Sequence, residues 1–369
     1  EFFLMDRASG DLLQELKVDT SVLGCNGPMP GAFVGEPGMQ HTAWLSNPTR
    51  VACGSCHDHV DFATGVGHSE LDLVMEDDST CYLCHRADSG NEFDRSIRGA
   101  HTVEYKSNQL GGVLVQIDQV KNTAPGQRPI VNFWLSDKWG LLDPAELDRL
   151  RFSISGPNED FDFYVQEESV NSLVSLGNGL WSYQFDAQLP GDASGSYSIG
   201  LEGRINSVLL NPGTSKEFSV RDTIQGFISP FAVTDAEPIA RSEIVDGGKC
   251  NACHNNLSLH GGGRNNAQYC TTCHNPESND GRRRPEEEMP VESIHFKYMV
   301  HKIHRGADLE NGYVAYGFGN RKHDYSDIHF TGDLRNCDAC HVNDSQQLPL
   351  PAGRLATPTP NGFLEFMEP

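Results

Sequence analysis

The sequence predicts a mixed fold, in which a central antiparallel β-sandwich or barrel is flanked by two cysteine-rich, mostly irregular segments with short helices. Three observations predict it. The cysteines and histidines concentrate in two blocks, one from Cys53 to His101 and one from Cys250 to His341, with no cysteine between Arg86 and Lys249. The interval between the blocks alternates apolar and polar residues with a period of two. Only 37% of the 369 residues are hydrophobic, which is thin for this length unless something besides side chains fills part of the core.

In chain order, residues 1–49 read as an N-terminal extension. The opening EFFLMDRASGDLLQELK lacks the charged start and apolar stretch of a signal peptide, as expected of a mature form. Cys25, in SVLGC, follows a charged rather than apolar segment, which argues against a lipid attached there. Residues 50–109 carry Cys53-Gly-Ser-Cys56-His57 and Cys81-Tyr-Leu-Cys84-His85. Residues 110–235 form the β domain. Val113-Val115-Ile117, Leu150-Phe152-Ile154, Phe161-Phe163-Val165, Trp181-Tyr183-Phe185 and Tyr197-Ile199-Leu201 alternate as half-buried strands do, between the turn signals TAPGQ, SGPNED, LGNG, PGDASGS and NPGTS. Residues 236–345 hold Cys250-Asn-Ala-Cys253-His254, Cys270-Thr-Thr-Cys273-His274 and Cys337-Asp-Ala-Cys340-His341, and residues 346–369 are a Pro-rich strap. In PVESIHFKYMVHKIHRG, Pro290 suits a first helical turn and Gly306 a stop, while Ile294, Tyr298, His301 and His304 recur at helical spacing.

Ten of the 11 cysteines thus fall in five copies of CxxCH, where the composition predicts ~0.01 by chance, and this pattern reads as c-type haem attachment. Two thiols add across the two vinyl groups of one porphyrin, and the short loop leaves the next imidazole under the iron as proximal ligand. Zinc would use the pairs two at a time and leave one unmatched. Disulfides explain none of the five histidines. The motifs therefore predict five covalent haems with His57, His85, His254, His274 and His341 as proximal ligands. Thioether attachment takes place outside the bacterial cytoplasm, so the chain is expected to be exported.

Ten histidines remain for the sixth positions. Met is the other common axial partner, but the seven Met residues show no repeated placement around the motifs. His301 and His304 share a helix face, and two imidazoles three residues apart cannot both bind one iron in trans, so they serve different haems. His260 precedes three glycines that let the backbone pass close to a porphyrin. His68 and His101 follow their motifs. These five are the distal candidates, with His59 and His323 as substitutes. His41, His59, His295, His323 and His329 are otherwise assigned to the surface or to hydrogen bonds with propionates.

Composition excludes several classes. With 51 acidic against 28 basic residues the net charge is −23, which repels nucleic acid and anionic headgroups. No run of about 18 apolar residues encodes a transmembrane helix. Glu76-Asp77-Asp78 and Glu286-Glu287-Glu288 read as solvated faces, with calcium the metal they would suit.

Several strings, CGSCHDHVDFATGVGH, CYLCHRADSGNEFDRSIRGAHTV, LDRLRFSISGP, GSYSIGLEGR, CNACHNNLSLHGGGRNNAQYCTTCHNP, YMVHKIHRG and GDLRNCDACH, resemble the OmcA/MtrC-type outer-membrane multihaem cytochromes over about residues 50 to 350. The resemblance implies split β-barrel domains alternating with pentahaem domains, and bis-His haems that pass electrons to metal oxides, flavins or partner cytochromes outside the cell. It supports His68, His101, His260, His301 and His304 as distal ligands. Members commonly carry twice as many motifs. The first two motifs here resemble the end of one pentahaem domain and the last three the start of the next. This fits either a piece of a longer chain or a subunit whose trio packs on the next copy's pair, a head-to-tail contact that does not close and makes a filament. The expected function is electron conduction between packed haems at the cell surface. A reductase with an open haem position is the alternative, and a purely structural filament a third class.

Overall fold

The computed structural model describes residues 2–5, 12–16, 45, 47–69, 72–168 and 172–351; Cys25, His41 and the strap beyond Pro351 lie outside the described residues. Two compact units are formed. One combines Glu1–Leu110, Val208–Val220 and Gly248–Asn256, and the other Gly111–Ser207, Arg221–Gly247 and Leu257–Pro369.

The first unit contains an antiparallel pair of strands, β1 (Phe2–Met5) and β2 (Leu12–Leu16), and three short helices: α1 (Arg50–Gly54), α2 (Cys81–Cys84) and α3 (Ile97–Ala100). Side chains rather than length sustain the helices. Thr49 accepts from the Ala52 N–H at 3.1 Å to cap α1, and Ser96 accepts from the Gly99 N–H at 3.0 Å to cap α3. The Arg50 guanidinium reaches Asp78 at 2.8 Å and ties α1 to the approach to α2. Among the described residues its apolar packing gathers in a cluster of Phe93, Leu110, Leu210 and Val220.

The second unit is built on two five-stranded antiparallel sheets. One contains β3 (Leu114–Lys121), β4 (Ile130–Asp137), β5 (Gly140–Leu141), β8 (Val174–Gly177) and β9 (Leu180–Gln184), in the order β3-β4-β9-β8 with β5 paired to β4. The other contains β6 (Arg149–Gly156), β7 (Phe163–Glu168), β10 (Ser196–Leu210), β11 (Phe218–Thr223) and β12 (Phe227–Ala232), with β10 central. Their inner faces share one core, in which Phe133, Leu135, Leu150, Phe152, Ile154, Ile199 and Leu201 are fully buried. The sheets do not close into a barrel.

Each alternating run becomes strand, and each turn signal separates two strands. In LGNG, Gly177, Asn178 and Gly179 have φ of 91°, 52° and 73°, a left-handed path that Gly and Asn tolerate. Phe161 departs from expectation. It lies before β7, buried at φ 60°, with the Arg241 guanidinium 5.7 Å over its ring. Periodicity alone misses β4: IVNFWLSD is buried on both faces at its centre, so it does not alternate.

Beyond the sheets the chain forms α4 (Gly247–His254), α5 (Ala267–Cys273), α6 (Phe296–Arg305) and a small hairpin, β13 (Val314–Tyr316) with β14 (Lys322–Asp324). The helix expected to open near Pro290 opens at Phe296 instead. The Asp280 N–H bonds the Glu292 carbonyl and the Ile294 N–H bonds the Ser278 carbonyl, so residues 291–294 bridge to the preceding turn and do not wind.

The β10 segment Ser196–Gly203 is buried on both faces. One face is the core, and the other is covered by α5, whose Tyr269 packs where a Cβ on Gly200 would stand 2.3 Å from its ring. The Tyr269 hydroxyl lies 3.4 Å from Ser153 Oγ and 3.2 Å from Gln166 Nε2. Arg264 closes the seam through a 2.6 Å ion pair with the buried Glu202. The fourth CxxCH motif is thereby fixed to the sheet.

Candidate functional site

Four of the five motifs share one local geometry. The His57, His85, His274 and His341 N–H groups bond the carbonyls of Cys53, Cys81, Cys270 and Cys337, each at 2.9 Å. This single α-type turn places the first Cys, the second Cys and the His on one side of the backbone. The Cys250–His254 motif forms the end of α4. All ten motif thiols are unbridged.

The fold then brings motif histidines opposite histidines from other segments of the chain. Ring centroids are 6.1 Å apart for His57 and His101, 6.2 Å for His68 and His85, 6.0 Å for His260 and His274, and 6.0 Å for His301 and His341. The first two pairs interlace: His68 follows the first motif and faces the second, while His101 follows the second and faces the first. His59 also stands 6.0 Å from His57. Two residues along one strand of chain cannot take opposite sides of one metal, which favours His101. His304 lies on α6 with its ring 5.6 Å from Phe330.

The ring nitrogens are arranged for metal binding. His68, His85, His101, His274, His301 and His304 present Nδ1 to the carbonyls of Leu73, Arg95, Ile97, Ile294, Lys297 and Val300 at 2.7 to 3.2 Å. A carbonyl only accepts, so each Nδ1 carries the proton and each Nε2 keeps its lone pair for a metal. His341 reaches the same state through Ser345, whose hydroxyl donates to the Ile244 carbonyl and accepts from Nδ1 at 3.0 Å. In His101, His301 and His304 the acceptor is the residue four back on the same helical turn.

This donor set fits a porphyrin iron. A metal–imidazole bond is about 2 Å, so two imidazoles in trans have centroids about 6 Å apart. The thiols lie beside one member of each pair. Burial, then Arg264 and His274, push the His260 pKa down to about 4, and burial lowers that of His274, so both stay in the neutral, ligand-competent form. His57 is lowered by burial and then by His101, His59 and His85, which places the first two sites close together. The Cys53 thiol is pushed up by burial and then by Cys81, from the same proximity.

The remaining candidates divide. His59, His323 and His329 are exposed, whereas His295, assigned from sequence to the surface or to propionates, is completely buried. No simple sequence signal separates it from the others, because its burial follows from the late start of α6. In the acidic runs, Asp77 accepts from Ser79 and Asp78 pairs with Arg50, and Glu288 pairs with Lys322. Among the described residues no group of three or more His, Cys, Asp or Glu gathers to hold a metal ion. No helix among them is long and apolar enough to cross a membrane.

Residues 242–360 match the family described as outer membrane cytochrome MtrC/MtrF-like, domains II/IV. A stretch of 177 residues, 47% of this chain, is 27% identical to the multiheme cytochrome MtrC of Shewanella baltica (strain OS185), of which it covers 22%. Residues 242–360 thus carry an MtrC/MtrF-like domain. The crystal structure of MtrC from Shewanella baltica OS185 superposes with a TM-score of 0.52 at 17% identity, over 86% of this chain and 52% of that one. The MtrC-like fold therefore extends well beyond the matched domain, and the chain spans about half the length of the solved structure. The third, fourth and fifth CxxCH motifs, at Cys250–His254, Cys270–His274 and Cys337–His341, lie within the matched residues.

Proposed function

We propose that the chain carries five covalent haems, each with two axial histidines, and passes electrons along them to acceptors outside the cell. The supporting observation is the set of four histidine pairs at 6.0 to 6.2 Å, each joining a CxxCH histidine to one of the distal candidates His68, His101, His260 and His301. His304 is the fifth distal ligand in this reading. Haem supplies the one-electron chemistry when bound. The chain's own residues set the spacing, hold each imidazole in the correct tautomer and, at His260 and His274, keep it dry.

The acceptors consistent with this chemistry are metal oxides, flavins and partner cytochromes, because a row of six-coordinate haems transfers electrons without a shaped substrate pocket. A row also continues through end-to-end contact with another cytochrome or an identical subunit, which is how a polymerising conductor would work. The setting is the cell surface, at the outer membrane. The organisation is a two-haem segment at 50–109, a β domain at 110–235 and a three-haem segment at 236–345. A reductase with an open haem would need a motif histidine with no imidazole opposite, and four of the five motif histidines have one. The test is carbon monoxide added to the fully reduced protein, beside its intact mass. A mass of chain plus five haems with an unchanged spectrum is expected. A carbon monoxide adduct in the unmutated protein overturns the conduit in favour of the reductase.

A further inference from the structure

Both imidazoles of the fourth site are carried by segments tied to one sheet. His274 follows α5, which Tyr269 seats against Gly200 of β10, and His260 lies in the loop Leu259–Arg264. Leu259 and Arg264 exchange backbone hydrogen bonds at 2.9 and 3.3 Å and close the base of that loop. Arg264 pairs with Glu202 of β10 at 2.6 Å, and Ser258 Oγ donates to the Gly262 carbonyl at 2.8 Å. At the tip two further arginines converge. Arg204 of β10 donates to the Gly261 carbonyl at 3.1 Å, and Arg221 of β11 donates to the same oxygen. A Cβ on Gly261 would stand 3.3 and 3.5 Å from their terminal nitrogens.

The backbone of this loop needs such a hold. His260, Gly261 and Gly262 have φ of 52°, 80° and 86°, and a histidine, unlike a glycine, keeps a left-handed conformation only where its surroundings impose it. Leu259 and Gly261 are exposed, so burial of the loop does not supply the constraint. The arginines are also set apart by their partners. Arg149, Arg151 and Arg264 pair with Glu168 or Glu202, whereas among the described residues Arg204 and Arg221 have no carboxylate partner. In a chain with 51 acidic against 28 basic residues, both guanidiniums are committed to one carbonyl, through the charge-assisted type of hydrogen bond that is stronger than a neutral one.

We propose that Arg204 and Arg221 are positioning residues that clamp the Gly261 carbonyl and thereby keep His260 opposite His274 as the sixth ligand at the fourth motif. This rests on the two-histidine reading above. Without the clamp the backbone at His260 relaxes out of the left-handed region and its imidazole withdraws from His274, which leaves that iron open to carbon monoxide.

The test uses the holoprotein, with magnetic circular dichroism for spin state and carbon monoxide titration for open haems. His260→Ala comes first and is expected to open one haem. If it opens none, the two-histidine reading of this site fails and the clamp with it, an outcome seen before either arginine is changed. Arg204→Ala with Arg221→Ala is then expected to bind carbon monoxide at up to one haem per chain, against none in the parent, with the difference spectrum of His260→Ala. Added imidazole restores the low-spin spectrum, and Arg204→Lys with Arg221→Lys, which keeps a donor at each place, opens a smaller fraction. A double-alanine protein that stays low-spin and silent to carbon monoxide overturns the proposal even where it unfolds more easily, since a purely structural role in β10 and β11 moves stability alone. Where that protein does not mature with five haems, Arg221→Ala, which removes an exposed side chain, decides by the same readouts: a carbon-monoxide-binding fraction with the His260→Ala spectrum, or the proposal fails.

Discussion

An imidazole whose Nδ1 proton is held by an acceptor keeps Nε2 free for a metal, and seven histidines here meet that condition. His301 has Nδ1 bonded to the Lys297 carbonyl at 2.7 Å and faces His341 with the rings 11° from parallel. His59 and His323 are exposed. The variant His301→Ala should therefore convert one low-spin haem to a high-spin, carbon-monoxide-binding one, while His59→Ala and His323→Ala leave the spectrum low-spin. Magnetic circular dichroism and carbon monoxide titration measure this; an open haem in His59→Ala would move the ligand of the first site from His101 to His59. The distal candidates were named in the sequence as histidines that follow a motif or share a helix face, and four of the five stand 6.0 to 6.2 Å from a motif histidine. Their pairing was not, since interlacing of His68 with the second motif and His101 with the first depends on how the loops cross.

At the scale of elements, α5 is secured to the β domain by a contact with no tolerance. A Cβ at Gly200 would meet the Tyr269 ring at 2.3 Å and Ser153 Oγ at 2.6 Å. Gly200→Ala should cost about 1–3 kcal/mol, as forced overpacking usually does. Denaturant unfolding should show a smaller loss in a Tyr269→Ala background, because the two residues act on each other. Equal losses in both backgrounds would mean that the strain lies elsewhere in β10. Most strands were legible because polar or small residues alternate with large apolar ones, even in β6 and β10, where Ser153, Ser155, Ser196, Ser198 and Gly200 occupy the second buried face. The strand β4 was not, since apolar Ile130 and Trp134 stand on the face opposite Val131, Phe133 and Leu135, and the start of α6 was misplaced because residues 291–294 bond across to Ser278 and Asp280. In both places tertiary contacts override the local pattern.

For the whole molecule, the two units differ in what can hold them together. Eighteen buried apolar side chains form the core of the sheets, whereas the first unit has a cluster of four. At about 25 cal/mol per Å² of apolar surface, four side chains contribute only a few kcal/mol each at most, against a backbone ordering cost of roughly 1–2 kcal/mol for every residue fixed. In the proposed reading the motif-bearing segments draw their remaining burial from the porphyrins, which would also account for a hydrophobic content of only 37%. Replacing the ten motif cysteines by alanine should accordingly leave slow amide exchange in β4, β6 and the Ser196–Gly203 part of β10, and bring α1, α2 and α3 to the exchange rates of an unfolded chain. Mass-resolved hydrogen exchange on the protein lacking the ten motif cysteines distinguishes the outcomes. Protection retained in α1 to α3 would mean that caps such as Thr49 and Ser96, with the Arg50–Asp78 pair, suffice to fold the segment, and that the haems enter a site already made. Lost protection there, beside an intact sheet core, means that covalent attachment and folding of the electron-carrying segments are one event.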